Sequence, residues 1–288
     1  MGAIMAAVTL RGALQQERLL MKDLFDVSGK IALVTGGSRG IGEMIAEGYV
    51  TNGVKTYISS RKADVCDATA ARLSAAGECI SIPADFSTLE GVKALVDEIK
   101  RHEDRLDILV NNAGATWGEP IEDFTEGGWD KIMTINVKSP FFLTQALLPL
   151  LESAASAENP ARIIMVGSVD GLNVNQMPTF SYGPSKAAVH HLTRTLAAHL
   201  AGRHITANAI APGLFPNAIA PGLFPSHMTA GIIQSMGEQI VQGTPLKRHG
   251  RPEDMAGVAI YLASRAASFV TGVIIPVDGG LTGAKGTL

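Results

Sequence analysis

Short apolar runs alternating with helix-length segments constrain this chain more than any other feature. Apolar, strand-like stretches fall at 30–35, 55–59, 79–83, 107–111, 162–167, 205–210 and 273–277. Helical patterns occupy 41–52, 62–76, 89–102, 129–151, 181–200 and 252–262, several of them closed by a glycine. Strands that are apolar along their whole length must be covered on both faces, which is the signature of a parallel sheet with helical crossovers. Crossovers of that kind are right-handed, so the expected fold is α/β: a doubly wound parallel sheet of about seven strands flanked by helices. Such a sheet binds ligands in the crevice at the carboxyl ends of its strands.

Composition agrees with a large buried core: of 288 residues, 46% are hydrophobic and 18% charged. The net charge of −3 and the lack of a Lys/Arg block give nucleic acid no electrostatic foothold. No apolar run reaches the ~18 residues of a membrane span. Cys66 and Cys79 have no His or Cys at metal-ligand spacing, so neither a metal site nor a disulfide framework is expected, and thiols of this kind suit the cytoplasm. Residues 1–23 read as an N-terminal extension without the order of a secretory signal, and 24–288 as one domain with no linker inside it.

After the first strand comes Thr35-Gly36-Gly37-Ser38-Arg39-Gly40-Ile41-Gly42, a GxxxGxG turn running straight into a helix. Gly36, Gly40 and Gly42 let backbone approach a diphosphate, and the N–H groups around Ser38, Arg39 and Ile41 meet it at the positive end of the helix dipole. The second strand ends in Ser59-Ser60-Arg61-Lys62. A carboxylate there would bind a ribose 2′-OH; Ser60, Arg61 and Arg39 instead suit a 2′-phosphate, which predicts NADP(H).

Tyr182-Gly183-Pro184-Ser185-Lys186 opens a helix and puts a phenol and an ammonium at i and i+4, on one face. A tyrosine of pKa ~10 is a weak proton donor or acceptor at neutral pH, and an adjacent cation lowers that value. Ser168, just past the fifth strand, can orient a substrate oxygen, and Asn136 can hold a water. Asn111-Asn112-Ala113-Gly114 closes the fourth strand at the same edge.

Together TGGSRGIG, NNAG, Asn136, Ser168 and YxxxK resemble the Rossmann-like short-chain dehydrogenase/reductases, over about 24–280. That resemblance implies a catalytic tetrad of Asn136, Ser168, Tyr182 and Lys186 and hydride exchange between a nicotinamide cofactor and a small-molecule carbonyl or alcohol. It further implies that Lys186 binds the nicotinamide ribose, that Asp85 and Phe86 lie by the adenine, that Asn112, Ala113 and Gly114 border the cofactor, that Pro212 and Gly213 contact the nicotinamide, and that the protein is a homotetramer. More narrowly, SAENPAR, YGPSKAA and PGLFPSHMT resemble NADPH-dependent β-ketoacyl reductases of the kind associated with rhamnolipid synthesis, implying 3-oxoacyl thioester substrates. Reduction of another ketone, a sugar or a steroid, and a non-catalytic NADP-binding scaffold, stay open as alternatives.

One departure stands out. NAIAPGLFP occurs at 208–216 and again at 217–225. The first copy continues the sixth strand without interruption, so it is expected to supply Pro212 and Gly213, and the second to lie in a substrate lid at about 212–248.

Overall fold

The protein is described by a computed structural model that covers residues 21, 23–174, 177–213 and 242–284. Seven strands form one sheet: β1 (Ile31–Thr35), β2 (Lys55–Ser59), β3 (Cys79–Ser81), β4 (Ile108–Asn111), β5 (Ala161–Val166), β6 (Ile205–Pro212) and β7 (Ile274–Val277). They lie in the order β3-β2-β1-β4-β5-β6-β7, every neighbouring pair parallel. The expected doubly wound sheet is therefore present, and its order reverses between β1 and β4, where the chain first crosses to the other side.

The helices are α1 (Gly40–Thr51), α2 (Ala63–Leu73), α3 (Leu89–His102), α4 (Glu126–Met133), α5 (Ser139–Ala154), α6 (Tyr182–Leu200) and α7 (Pro252–Ala263). They divide the apolar core into two layers. On one face of the sheet Leu33, Leu109, Ile163 and Ala207 pack with α3, α5 and α6, through Leu95, Leu147 and Val189 among others. On the other face Val34, Ile108, Ile164 and Ile210 pack with α1, α2 and α7, through Ile45, Ala70 and Met255. Alternate residues of each strand feed opposite layers, which is why these strands read as unbroken apolar runs.

Two elements differ from the expectation. The single helix expected over 129–151 is α4 and α5 joined by a π-helical turn, Thr134–Lys138. Pro140, in the first turn of α5, explains the break: it lacks the N–H that would close an α-helical bond onto the carbonyl of Asn136 four residues earlier. β6 also runs two residues further than expected, to Pro212, which pairs with Val277. Proline is tolerated there because it is the last residue of the strand, where a missing donor costs least. Of the duplicated stretch, Asn208–Gly213 is described; the second copy and most of the expected lid lie outside the described residues, as do residues 1–20.

Candidate active site

The turn after β1 is built by close approach. Gly36 and Gly40 have φ of 65° and 58°, values a side chain resists. A Cβ on Gly42 would stand 2.2 Å from the Gly36 carbonyl oxygen, and one on Gly36 would stand 2.7 Å from Asn112 Nδ2. Asn112 ties the turn to the end of β4, its Nδ2 donating to the carbonyls of Thr35 (2.8 Å) and Gly36 (3.1 Å). Thr35 completes the joint: its Oγ1 accepts from the N–H groups of Asn112 and Ala113 at 3.0 and 2.9 Å and donates to the Val110 carbonyl at 3.2 Å. Ser38 is buried, with its carbonyl accepting from Thr69 Oγ1 at 3.0 Å. Arg39 is the N-cap of α1, and its side chain caps nothing. The first-turn N–H groups of Gly40, Ile41 and Gly42 thus face the crevice without a side-chain acceptor, a donor set that fits a diphosphate.

Arg39 and Arg61 are both exposed, at the ends of the strands that flank this turn, and Ser60 is half-buried between them. Asp85 completes the corner. Its carboxyl is held below the usual range, first by the Ser87 N–H at 2.9 Å and also by the charge of Arg61. The Phe86 ring is buried in the core and its carbonyl accepts from Ser139 Oγ at 2.7 Å, which leaves main chain rather than the ring to face a ligand.

At the other side of the switch point the four tetrad positions converge. Ser168 follows β5, takes the Asp170 N–H on its Oγ at 3.1 Å and hydrogen-bonds the phenol of Tyr182. Lys186, one helical turn on, sends its Nζ to the Val166 carbonyl at 2.9 Å and lies 5.6 Å from the centroid of the Tyr182 ring. Sequence reasoning expects the ammonium to lower the phenol's pKa; the structure shows the reverse balance. Burial pushes Tyr182 up to about 12, against a smaller opposing pull from Ser168, and burial pushes Lys186 down to about 8. With Lys186 buried, Tyr182 half-buried and Nζ directed at a carbonyl, desolvation outweighs attraction for both groups. The phenol, like that of a free tyrosine, is neutral at pH 7, and burial widens the margin.

Asn136 is buried in the π-helical turn. Its Oδ1 accepts from the Ala115 N–H at 2.8 Å, and its Nδ2 donates to the Ala115 carbonyl at 3.0 Å and to Ser185 Oγ at 2.9 Å. Both N–H donors of the amide are spent, and the side chain works as a clamp between the loop after β4 and α6. Gly114 is exposed beside it, where a Cβ would stand 3.3 Å from Asn136 Oδ1 and 3.5 Å from Lys186 Nζ. Pro212 is buried at the end of β6, and the Gly213 N–H donates to the Val277 carbonyl at 2.9 Å, at the same sheet edge. Among the described residues no cluster of His, Cys, Asp or Glu could hold a metal ion, and no helix is long and apolar enough to cross a membrane.

A family profile described as enoyl-(acyl carrier protein) reductase matches residues 36–282, and a short-chain dehydrogenase/reductase of Diaporthe leptostromiformis is 32% identical over 280 residues, covering 91% of this chain and 94% of that one. The chain belongs to the short-chain dehydrogenase/reductase family. It is 48% identical over 260 residues to the rhamnolipids biosynthesis 3-oxoacyl-[acyl-carrier-protein] reductase of Pseudomonas aeruginosa, covering 90% of this chain and 99% of that one. The solved active-site complex of the Pseudomonas aeruginosa protein RhlG with NADP superposes with a TM-score of 0.82 over 90% of this chain and 98% of that one, at 48% identity. A galactitol 2-dehydrogenase of Cereibacter sphaeroides is 35% identical over 91% of this chain and 98% of its own length. Like its relatives in the short-chain dehydrogenase/reductase family, the chain is an oxidoreductase acting on a carbonyl or alcohol.

Sequence reasoning missed three residues of this short-chain dehydrogenase/reductase site. Thr35 reads as an ordinary strand end. Ser185 lies inside the YxxxK motif itself; it accepts from Asn136 and donates to the Tyr182 carbonyl at 2.7 Å, and its i, i+3 spacing from Tyr182 was the available signal. His190, four residues after Lys186 on the same face, is buried in a notch between two glycines that flank Ser168. A Cβ on Gly167 would lie 2.1 Å from its Nε2, and one on Gly171 would lie 2.8 Å from its Cε1. Burial first, and the charge of Lys186 after it, hold His190 below its ordinary pKa, so it packs against the site as a neutral ring.

Proposed function

We propose that this short-chain dehydrogenase/reductase uses NADP(H) to interconvert a ketone and a secondary alcohol, and that its substrate is a 3-oxoacyl thioester. The observation that carries the reading is the geometry of a phenol hydrogen-bonded to Ser168 with a buried lysine Nζ 5.6 Å from its ring centroid, at the crevice where the sheet order reverses. The similarity to a 3-oxoacyl reductase and to its NADP complex supports the choice of substrate and cofactor.

The residues present fit the cofactor. Gly36, Ser38 and the N–H groups of 40–42 would hold its diphosphate; Ser60, Arg39 and Arg61 its 2′-phosphate; Asp85 and the main chain of Phe86 its adenine. Asn112, Ala113, Gly114, Lys186, Pro212 and Gly213 would border the nicotinamide half. When bound, NADPH supplies a hydride. The chain's own part is proton transfer and positioning. Ser168 donates to the substrate carbonyl oxygen and orients it, and Tyr182 gives its phenolic proton to that oxygen as charge builds there. Lys186 then stabilises the phenolate, and Asn136 holds α6 and the loop after β4 in register. A phenol held protonated at pH 7 is in the correct state for reduction.

We read residues 24–288 as one catalytic domain with a lid at about 212–248, the assembly as a homotetramer and the compartment as cytoplasmic. The test is NADPH oxidation with acetoacetyl thioesters, with NADH as comparison, in wild type and Tyr182→Phe. Turnover with NADPH preferred, and a loss of about 10²–10⁴-fold in the variant with NADPH binding intact, is expected. Tight NADPH binding without turnover of any ketone would overturn it in favour of a nucleotide-binding scaffold.

A further inference from the structure

Among the described residues of the segment joining Ser168 to Tyr182, several exposed side chains are apolar. Leu172 is 40% exposed, Val174 99% and Phe180 40%. Phe180 meets Phe124 edge-on, with ring centroids 5.6 Å apart and planes at 85°. Phe124 belongs to the loop that leaves β4 on the other side of the crevice, where Ile121 is 67% exposed. The Glu119 N–H donates to the Pro178 carbonyl at 3.1 Å and pins the two loops together. The two loops that leave Ser168 and Gly114, next to the reacting groups in the chain, thus carry an aromatic pair and exposed aliphatic side chains.

Clustered exposed apolar side chains are the informative kind, since isolated ones are ordinary. The charge pattern narrows what they face. Residues 115–125 and 168–181 contain no Lys, Arg or His; their charges are Glu119, Glu122, Asp123 and Asp170. The cation that packs on these loops is Lys131, over the Trp117 ring at 4.9 Å, and a polyol would lose hydrogen bonds to water against the apolar side chains. An aliphatic chain loses nothing there and gains burial.

We propose that Phe124 and Phe180, with Leu172 and Ile121, form the track along which the substrate's aliphatic acyl chain lies, so that chain length sets specificity. This rests on the reading of the substrate as a 3-oxoacyl thioester. The experiment measures kcat/KM with NADPH for 3-oxoacyl-CoA thioesters of increasing chain length, and for 2-alkanones of matching length, in wild type, Phe180→Ser, Phe180→Leu and Ile121→Ser. Wild-type kcat/KM is expected to climb about two- to fourfold per added methylene until the track is filled, as burial of a CH₂ implies. Phe180→Ser and Ile121→Ser are expected to flatten that slope, and Phe180→Leu to restore it. Ile121 is outside the core, so its variant keeps the test valid if Phe180→Ser fails to fold.

Thioesters turned over with a flat slope refute the track and leave the thioester reading standing. Alkanones showing the slope while no thioester reacts do the opposite. No reaction in either series overturns both. If the serine variants alter the oligomeric state by light scattering and leave the slope unchanged, the patch is covered by a second copy of this chain and the proposal falls.

Discussion

Lys186→Met separates the catalytic use of the buried ammonium from its thermodynamic effect. Burial holds Lys186 at about 8 where a free lysine has 10.5, so at pH 7 the charged form is disfavoured in the folded protein by about 3 kcal/mol, at 1.36 kcal/mol for each tenfold change. Methionine has similar length and no charge. It gives up the hydrogen bond to the Val166 carbonyl, worth about 1 kcal/mol net. The variant is therefore expected to be inactive yet more stable by about 1–2 kcal/mol, which raises Tm by about 2–8 °C for a chain of this size. The pH dependence has a definite sign. Between about 8 and 10.5 the unfolded wild-type chain keeps a proton that the folded protein has released, so wild-type stability rises with pH through that window. The variant lacks this group, and its advantage is expected to be full below pH 8 and to close towards pH 10.5. Urea unfolding of both proteins from pH 7 to 10, without cofactor so that binding adds no stability, measures it. A variant less stable than wild type at pH 7, with a gap that does not change with pH, would refute the account of Lys186 as a costly buried charge.

Gly42→Ala places a Cβ 2.2 Å from the Gly36 carbonyl, and is expected to cost about 1–3 kcal/mol of stability and to abolish NADPH binding; thermal melts and fluorescence titration read both. Arg39→Ala and Arg61→Ala each remove a cation from the proposed phosphate corner. Each is expected to reduce the NADPH-over-NADH preference about 10- to 100-fold, the worth of a charge-assisted hydrogen bond, in kcat/KM measured with the two cofactors. Asn136→Ala breaks three hydrogen bonds and leaves the half-buried main chain of Ala115 without its partner, so it is expected to lower stability by about 1–3 kcal/mol and to lower kcat. Unchanged stability would mean that the clamp is replaced by another contact.

Much of the site was legible because its parts are local. The glycine turn is written in eight consecutive residues, and Tyr182 and Lys186 share a helix face by spacing alone. The break between α4 and α5 was also written, in Pro140, but the apolar pattern over 129–151 continues through it and hides it. Thr35 and His190 were not legible as site residues, because each acts on a partner distant in sequence or on main chain that carries no sequence signal, and Ser185 was legible only through its spacing from Tyr182. Thr35 works on the end of β4, 75 residues or more downstream.

The sequence by itself determined the alternation of strand and helix, and with it the doubly wound sheet and the crevice at its edge, because period and chain reversal are short-range properties. It also determined which side chains could react. Only the tertiary structure decided in what state they stand. Residues far apart in the chain pack around Tyr182 and Lys186, and that desolvation, which no spacing encodes, raises the phenol's pKa and makes the ammonium costly.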